Sequence, residues 1–219
     1  QAVWYDARRI GEAKDEDLRK LAEILGLKSD RMIRQMRADK KRAFVYLDRQ
    51  VDSDVAAKAK ALKIPGLGFV TESKRYYPQG ETMAHLVGFT SIEDKGQEGV
   101  ELAFNAHLTG VDGERNVIRD RLGNVIEDIR ELRPPVNGRD LVLSVDADVQ
   151  YIVLSELKKA VEFHKAKAAA AVVLDAKTGE LLAMANIPTY DPNSRGQLHG
   201  EKLRNRVFTD MFEPGSTLK

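Results

Sequence analysis

Two consecutive prolines, Pro134 and Pro135, limit more than any other feature how this chain can fold. Proline lacks a backbone N–H and fixes its own φ, so no continuous helix or central strand can run through the pair. Asn137-Gly138 follows as a turn signal. The sequence therefore predicts two domains, residues 1–137 before the boundary and residues 138–219 after it.

Helical and extended patterns alternate before this boundary. Leu18 and Leu21 fall at helical spacing, and the pattern stops at Gly26, a good residue to end a helix. A helix over 100–108 is predicted with Leu102 among its inward residues. The other predicted elements are helices at 29–36 and 52–62, strands at 1–6, 43–48 and 68–77, and a β-hairpin of 115–121 with 124–132.

After the boundary, a strand is predicted at 140–145, and Ser144 or Asp146 is the candidate cap of a long helix that reaches about Lys165. Its buried stripe is predicted to include Val149 and Ile152. Two apolar strands, 168–174 and 180–185, are joined by a turn at 175–179. The whole pattern indicates an α+β fold, with a three-layer start to the second domain.

The composition excludes several classes of protein. Hydrophobic residues make up 42% of the 219, enough for a core, and the net charge of +1 gives no general field that would attract nucleic acid. The absence of cysteine excludes disulfides and thiolate metal sites. No apolar run approaches the roughly 18–20 residues that span a bilayer. Because the chain starts as a strand already under way, and Lys219 directly follows a helix start, we expect it to be cut at both ends.

Two Ser-x-x-Lys sequences occur, at 155–158 and at 216–219. This spacing places both side chains on one helix face, where a desolvated lysine can take the serine proton. Ser155 lies inside the predicted long helix, which favours the interpretation that this Ser-x-x-Lys occurs on the helix surface by chance. Ser216 follows Pro214-Gly215 and is predicted to begin a helix, where free N–H groups and the helix dipole stabilise negative charge. On position alone, an ordinary N-cap serine is the alternative.

The sequence around Ser216 is one of a series of motifs. In chain order they lie at 75–80 (RYYPQG), 84–89 (AHLVGF), 96–101 (GQEGVE), 120–123 (DRLG), 138–141 (GRDL) and 204–219 (RNRVFTDMFEPGSTLK). Together they resemble the class B penicillin-binding proteins, and within them the cell-division (septal) peptidoglycan transpeptidases of the FtsI type. The resemblance covers the chain from about Arg75 onward. Before that residue it is a likeness of arrangement rather than of motif.

This resemblance implies an elongated, non-catalytic pedestal domain of the penicillin-binding-protein dimerisation type at 1–137. It implies the N-terminal part of a transpeptidase domain, with the penicillin-binding and serine-β-lactamase-like fold, at 138–219. Ser216 would be the nucleophile and Lys219 its base, with no metal or organic cofactor. Charged residues in the glycine-rich turns would form an ion-pair network of the pedestal. The residues assigned to its structural motifs are Arg75, Gly80, Glu98, Gly99, Glu101, Asp120, Arg121 and Gly123.

The implied function is D,D-transpeptidation, which cross-links peptidoglycan stem peptides during septal cell-wall synthesis through a Ser216 acyl-enzyme. β-Lactam antibiotics would acylate the same serine. The implied partners are lipid-linked precursor strands and other division proteins, including a glycosyltransferase. The implied location is the inner membrane, with a single-pass anchor absent from this chain and the catalytic part in the periplasm.

The chain also departs from the family pattern. An Arg-Gly and Asp-Arg motif is expected before Gln1, and the Ser-x-Asn and Lys-Ser/Thr-Gly motifs are expected after Lys219. Lys177-Thr178-Gly179 imitates the last of these, but it precedes Ser216 and is predicted to be a turn. We therefore expect residues 1–219 alone to be inactive.

Two other classes of function stay open at this stage. A serine β-lactamase or β-lactam sensor shares Ser-x-x-Lys, but it should lack the long segment from Arg75 to Gly123. A docking platform for division proteins is not excluded for residues 1–137. A Ser-x-Asn and a Lys-Thr/Ser-Gly sequence downstream in the gene would distinguish an enzyme from a platform.

Overall fold

A computed structural model describes residues 1–38, 41–119, 125–211 and 213–215 of the chain. Within these ranges the chain forms two compact units, Gln1–Arg75 and the residues from Tyr76 onward. No helix in the same ranges is both long enough and apolar enough to cross a membrane. The mixture of helices and sheets agrees with the predicted α+β class.

The unit Gln1–Arg75 combines a three-stranded antiparallel sheet with three helices. The strands are β1 (Ala2–Tyr5), β2 (Val45–Asp48) and β3 (Leu67–Val70), in the order β2-β1-β3. The helices are α1 (Asp15–Ile24), α2 (Ser29–Ala38) and α3 (Ser53–Ala61). Apolar residues at helical spacing enter one core that also contains Tyr5 and Ile10, and those residues are Leu18, Leu21, Ala22, Met32 and Met36.

The ends of two elements in this unit show how local geometry sets their length. Gly26 has a φ of +67°, and the N–H of Leu27 donates to the carbonyl of Ala22 at 2.8 Å, which confirms the predicted end of α1. The strand predicted over 68–77 is wrong beyond Val70. β1 pairs with β3 only from Ala2 to Tyr5, so the residues after Val70 have no strand opposite them in that ladder.

The second unit begins with three short helices, α4 (Ala84–Val87), α5 (Gly99–Ala103) and α6 (Asn105–Leu108). The predicted hairpin follows as the antiparallel pair β4 (Glu114–Arg119) and β5 (Val125–Arg133). Helix α7 (Ala147–His164) then packs on a second antiparallel hairpin, β6 (Ala169–Leu174) and β7 (Leu181–Ile187). Helix α8 (Arg206–Thr209) comes last, and 3-10 turns lie at Gly80–Thr82, Arg195–Gln197 and Gly200–Leu203.

Helix α7 starts at a side-chain cap, and its inward face differs from the predicted stripe at Ile152, while Val149 is half-buried as predicted. The carboxylate of Asp146 accepts hydrogen bonds from the N–H groups of Asp148 and Val149, each at 2.9 Å, so Asp146 rather than Ser144 is the cap. The most buried residues are Gln150 and Leu154, whereas Ile152 is 58% exposed. The amide of Gln150 binds the backbone of β7, and this contact turns the Gln150 face of the helix inward.

Two further predictions are wrong in this unit. Residues 140–145 form no strand, and Val142 is 93% exposed. The helix predicted over 100–108 is broken at Phe104 into α5 and α6, and Leu102 is exposed while Glu101 is buried. The backbone of Gly96 lies directly against the carbonyl of Glu101, and this close approach places the Glu101 side of α5 inside.

The boundary between the two compact units lies at Arg75, far from the prolines at 134 and 135. The second unit contains residues on both sides of those prolines: the N–H of Arg139 donates to the carbonyl of His107, and Val111 bridges to Val136. The assignment of 1–137 and 138–219 to separate domains therefore stays a prediction.

Candidate active site

The structure describes the chain that leads to the predicted catalytic pair, while Ser216 and Lys219 themselves lie outside the described residues. Gly215, immediately before Ser216, has a φ of +54°, which a residue with a side chain adopts only with strain. The part of the site that the structure describes is therefore the segment from Asn205 to Asp210, the approach segment, which leads to Ser216.

A buried amide on β7 holds the start of this segment. The Asn186 side chain is 1% exposed; its Oδ1 accepts from the N–H of Val207 at 3.0 Å, and its Nδ2 donates to Oδ1 of Asn205 at 3.1 Å. Asn205 is the residue before α8, but its side chain makes no hydrogen bond to the helix start. Asn186 therefore supplies from another element the acceptor that a cap residue normally supplies.

Two arginines hold the end of the segment. Nε of Arg204 lies 2.6 Å from Oδ1 of Asp210, and Nη1 of Arg206 lies 3.1 Å from its Oδ2. Burial of Asp210 raises the pKa of its carboxyl, but the hydrogen bonds from Thr209 and Arg206 and the charge of Arg204 outweigh it, and the net pKa is lowered. Asp210 is thus an anion at neutral pH, six positions before Ser216.

The turn that contains α4 contacts the same approach segment. Nδ2 of Asn205 donates to the carbonyl of His85 at 3.2 Å, and Nε2 of His85 donates to the carbonyl of Lys202 at 2.8 Å. The hydroxyl of Tyr190 donates to the carbonyl of Ala84 at 2.8 Å. The 84–89 motif is therefore connected by hydrogen bonds to Asn205 and to Lys202 and Tyr190 before it.

The predicted pedestal residues fall into three groups. Arg75 is exposed and ends the first unit, and Gly80 begins a 3-10 turn with a φ of +49°. Glu98 precedes α5, Gly99 begins it, and Glu101 is only 3% exposed within it. Asp120, Arg121 and Gly123 lie outside the described residues. The ion-pair network stays a prediction.

The glycines of the 84–89 and 96–101 motifs allow two stretches of backbone to cross. A Cβ atom added at Gly88 would lie 1.9 Å from the carbonyl oxygen of Glu98, and one added at Gly99 would lie 2.5 Å from that of Leu86. Both glycines have positive φ, +79° and +58°. Only glycine satisfies both requirements, so these positions serve the backbone crossing rather than chemistry.

The two imitations of catalytic motifs have ordinary structural roles. Ser155 and Lys158 lie inside α7, where Lys158 forms an ion pair with Glu81 on the surface. Lys177-Thr178-Gly179 forms the turn between β6 and β7: the Asp175 carboxylate accepts from the N–H groups of Lys177 and Thr178, and Gly179 has a φ of +77°. The predicted turn at 177–179 and the predicted position of Ser155 inside the long helix are confirmed.

The sequence alone does not point to either asparagine. Asn186 lies just past the predicted strand 180–185, and Asn205 enters only as part of the 204–219 motif. One signal was available, because a lone asparagine near the end of an apolar strand must find hydrogen-bond partners if it is buried. Across the ranges that the structure describes, no three His, Asp or Glu side chains are grouped to hold a metal.

Comparisons with known proteins agree with this arrangement. Residues 3–143 match the Penicillin-binding Protein dimerisation domain, and residues 169–219 match the Penicillin binding protein transpeptidase domain. The chain is 46% identical over 100% of its length to the probable peptidoglycan D,D-transpeptidase PenA of Neisseria gonorrhoeae. It is 44% identical, again over 100% of its length, to the peptidoglycan D,D-transpeptidase FtsI of Escherichia coli.

The chain spans only part of these relatives, 37% of PenA and 38% of FtsI. Among solved structures, Penicillin Binding Protein 2X from Streptococcus thermophilus matches 92% of this chain and 34% of its own, with a TM-score of 0.55 at 22% identity, which shows the likeness of fold. The dimerisation match alone covers more than half of the chain. The chain therefore belongs to the penicillin-binding proteins, of which it comprises the dimerisation domain and the start of the transpeptidase domain.

Proposed function

We propose that the protein is a D,D-transpeptidase that cross-links peptidoglycan stem peptides during septal cell-wall synthesis, with Ser216 as its nucleophile. The observation that carries the proposal is the transpeptidase-domain match over residues 169–219, because it contains Ser216 and Lys219. Two relatives, 44% and 46% identical, are described as peptidoglycan D,D-transpeptidases. The anchored approach segment supports the same assignment.

The proposed reaction is a double displacement at one carbonyl. Lys219 takes the proton of Ser216 as Oγ attacks the carbonyl of the penultimate D-alanine of a stem peptide. The C–N bond to the last D-alanine breaks, and this D-alanine leaves carrying a proton. The rest of the stem peptide stays attached to Ser216 as an ester. An amine of a neighbouring stem then attacks the ester, forms the new amide and returns the proton to Oγ. The backbone N–H of Ser216 would donate to the oxyanion.

The setting of the reaction belongs to the same proposal. Its substrates are lipid-linked precursor strands, and β-lactams acylate Ser216 as substrate mimics. The pedestal contacts other division proteins, including a glycosyltransferase. The protein stands in the periplasm on a single-pass inner-membrane anchor. We expect residues 1–219 by themselves to be inactive, because the family's Ser-x-Asn motif does not occur in them and Lys177-Thr178-Gly179 forms a turn that precedes Ser216.

The test of this function is release of D-alanine by the full-length gene product, supplied with a stem peptide ending in D-Ala-D-Ala and an acceptor amine. We expect Ser216→Ala and Lys219→Arg each to lower the rate by roughly 10³-fold or more, as loss of a nucleophile or its base does in serine acyl transfer. Arginine keeps the charge but stays protonated, so it cannot act as a base.

Ser155→Ala is the matched control, because it removes the serine of the other Ser-x-x-Lys sequence and should leave the rate unchanged. Near-normal activity of Ser216→Ala would refute Ser216 as the nucleophile, and no release of D-alanine by the folded wild type would refute the enzyme assignment. Near-normal activity of Lys219→Arg would leave Ser216 as nucleophile but remove Lys219 as base.

A further inference from the structure

An unbroken relay of hydrogen bonds joins the approach segment to two other parts of the second unit. It runs from the N–H of Val207 to the amide of Asn186 at 3.0 Å, and from that amide to Asn205 at 3.1 Å. It ends where Asn205 donates to the carbonyl of His85 at 3.2 Å. The relay therefore connects α8, β7 and α4 through two asparagine side chains.

The direction of every bond in the relay is fixed by its two ends. A backbone N–H can only donate and a backbone carbonyl can only accept, so Asn186 must present Oδ1 to Val207 and Asn205 must present Nδ2 to His85. Between them, Nδ2 of Asn186 then necessarily meets Oδ1 of Asn205. No alternative amide orientation satisfies all three bonds, and together they tie residues 205–207 to β7 and α4.

A second buried amide, on α7 and bound to the same strand β7, offers a comparison. Gln150, also 1% exposed, accepts from the N–H of Met184 at 2.8 Å and donates to the carbonyls of Met184 and Thr82 at 2.9 and 2.7 Å. It joins α7, β7 and the turn before α4, as Asn186 joins β7 to α8. None of these bonds reaches residues 205–210. The two amides are thus equally buried and both involve β7, and they differ in whether they hold the approach to Ser216.

We infer that Asn186 and Asn205 are positioning residues for acylation, which set the backbone that carries Ser216 and couple it to the α4 turn. This inference rests on the proposed function. The fixed stretch ends at Asp210, which Arg204 and Arg206 hold, and Ser216 follows six positions later. Loss of the relay releases the start of this stretch while its other contacts stay.

The test measures acylation of the full-length gene product by a labelled penicillin over a range of concentrations, which separates the acylation rate constant from the dissociation constant. The variants are Asn186→Ala, Asn205→Ala, the double variant and Gln150→Ala, and the melting temperature of each is recorded. We expect each asparagine variant to lower the rate constant about 10- to 100-fold, the effect of a small misplacement of a reacting group. The dissociation constant should change by less than about threefold.

The controls separate positioning from general destabilisation. Gln150→Ala should lower the melting temperature at least as much as Asn186→Ala, yet leave the rate constant within about threefold of the wild type. The double variant should lose little more than either single variant, because both break one relay. If Asn186→Ala fails to fold, Asn205→Ala, at a less buried position, carries the same test.

The outcomes distinguish this inference from the function beneath it. A wild type that is not acylated refutes the proposed function and the inference together. A wild type acylated normally, with asparagine variants that lose melting temperature but keep the rate constant, refutes only the positioning role. Equal loss of the rate constant in Gln150→Ala refutes it as well, because the effect would then follow from any weakening of β7.

Discussion

At the scale of the residue, two titratable rings are buried side by side next to the approach segment. The rings of His85 and Tyr190 meet edge to face with centroids 5.1 Å apart, and each is tied to a backbone carbonyl. Burial raises the pKa of Tyr190 and lowers the pKa of His85, and the charge of Arg206 lowers the latter further. Both side chains are therefore neutral at pH 7, and they make these hydrogen bonds in their neutral forms.

The lowered pKa of His85 makes folding stability depend on pH. In the unfolded chain this histidine takes a proton near its ordinary pKa of about 6.5, whereas the folded chain resists it. The unfolded state therefore gains protons first, and stability falls as the pH decreases through about 6.5, levelling off below the folded pKa. We expect His85→Gln, which keeps an N–H donor but cannot titrate, to show a smaller loss of melting temperature between about pH 7.5 and 5.5. Identical pH profiles for the two proteins would contradict this assignment.

At the scale of the element, the backbone of α4 crosses the start of α5 at very short range. The backbone at Gly88 approaches Glu98 so closely that no side chain fits, and its φ of +79° is one that other residues rarely adopt. The glycines thus allow the backbones of two helices, each too short to be stable by itself, to pack closely against each other.

Gly88→Ala should therefore destabilise the protein by roughly 3 kcal/mol or more, the sum of steric overlap and backbone strain. Gly179→Ala is the matched control: its φ is +77°, but nothing lies within 4 Å of the added Cβ. It should show only the strain, about 1 kcal/mol. The check is the pair of melting temperatures, and equal shifts in the two variants would show that the crossing is not as tight as described.

Elements with strong local signals were predictable from the sequence. The helix ending at Gly26 and the hairpin turning at Gly179 each contain a residue whose backbone preference fixes the structure. The errors arose where long-range contacts decide. Residues 140–145 are mostly apolar, which favours a strand, yet they form no ladder and reach β7 only through Ser144 and the following Asp146. In α7 the Gln150 amide binds β7, while Ile152 of the predicted stripe is exposed. The candidate site shows the same contrast. Ser216 belongs to a motif that can be recognised in the sequence, whereas the role of Asn186 depends on hydrogen-bond partners that only the structure shows.

At the scale of the whole molecule, the chain contains two units, and its family matches run across both. The dimerisation match extends from residue 3 to residue 143, so it includes the first unit and the turns around α4 and α5 that contact the approach segment. Asn205 therefore joins the two matched domains by a hydrogen bond, because His85 lies in the first match and Asn205 in the second.

The most direct measurement of the central claim is the position of the penicillin adduct on the full-length gene product. The protein is incubated with a β-lactam, digested and mapped by mass spectrometry. The account predicts one adduct per molecule on the peptide that contains Ser216, still present in Ser155→Ala and lost in Ser216→Ala. An adduct on any other residue, or none at all in a folded wild type, would contradict it.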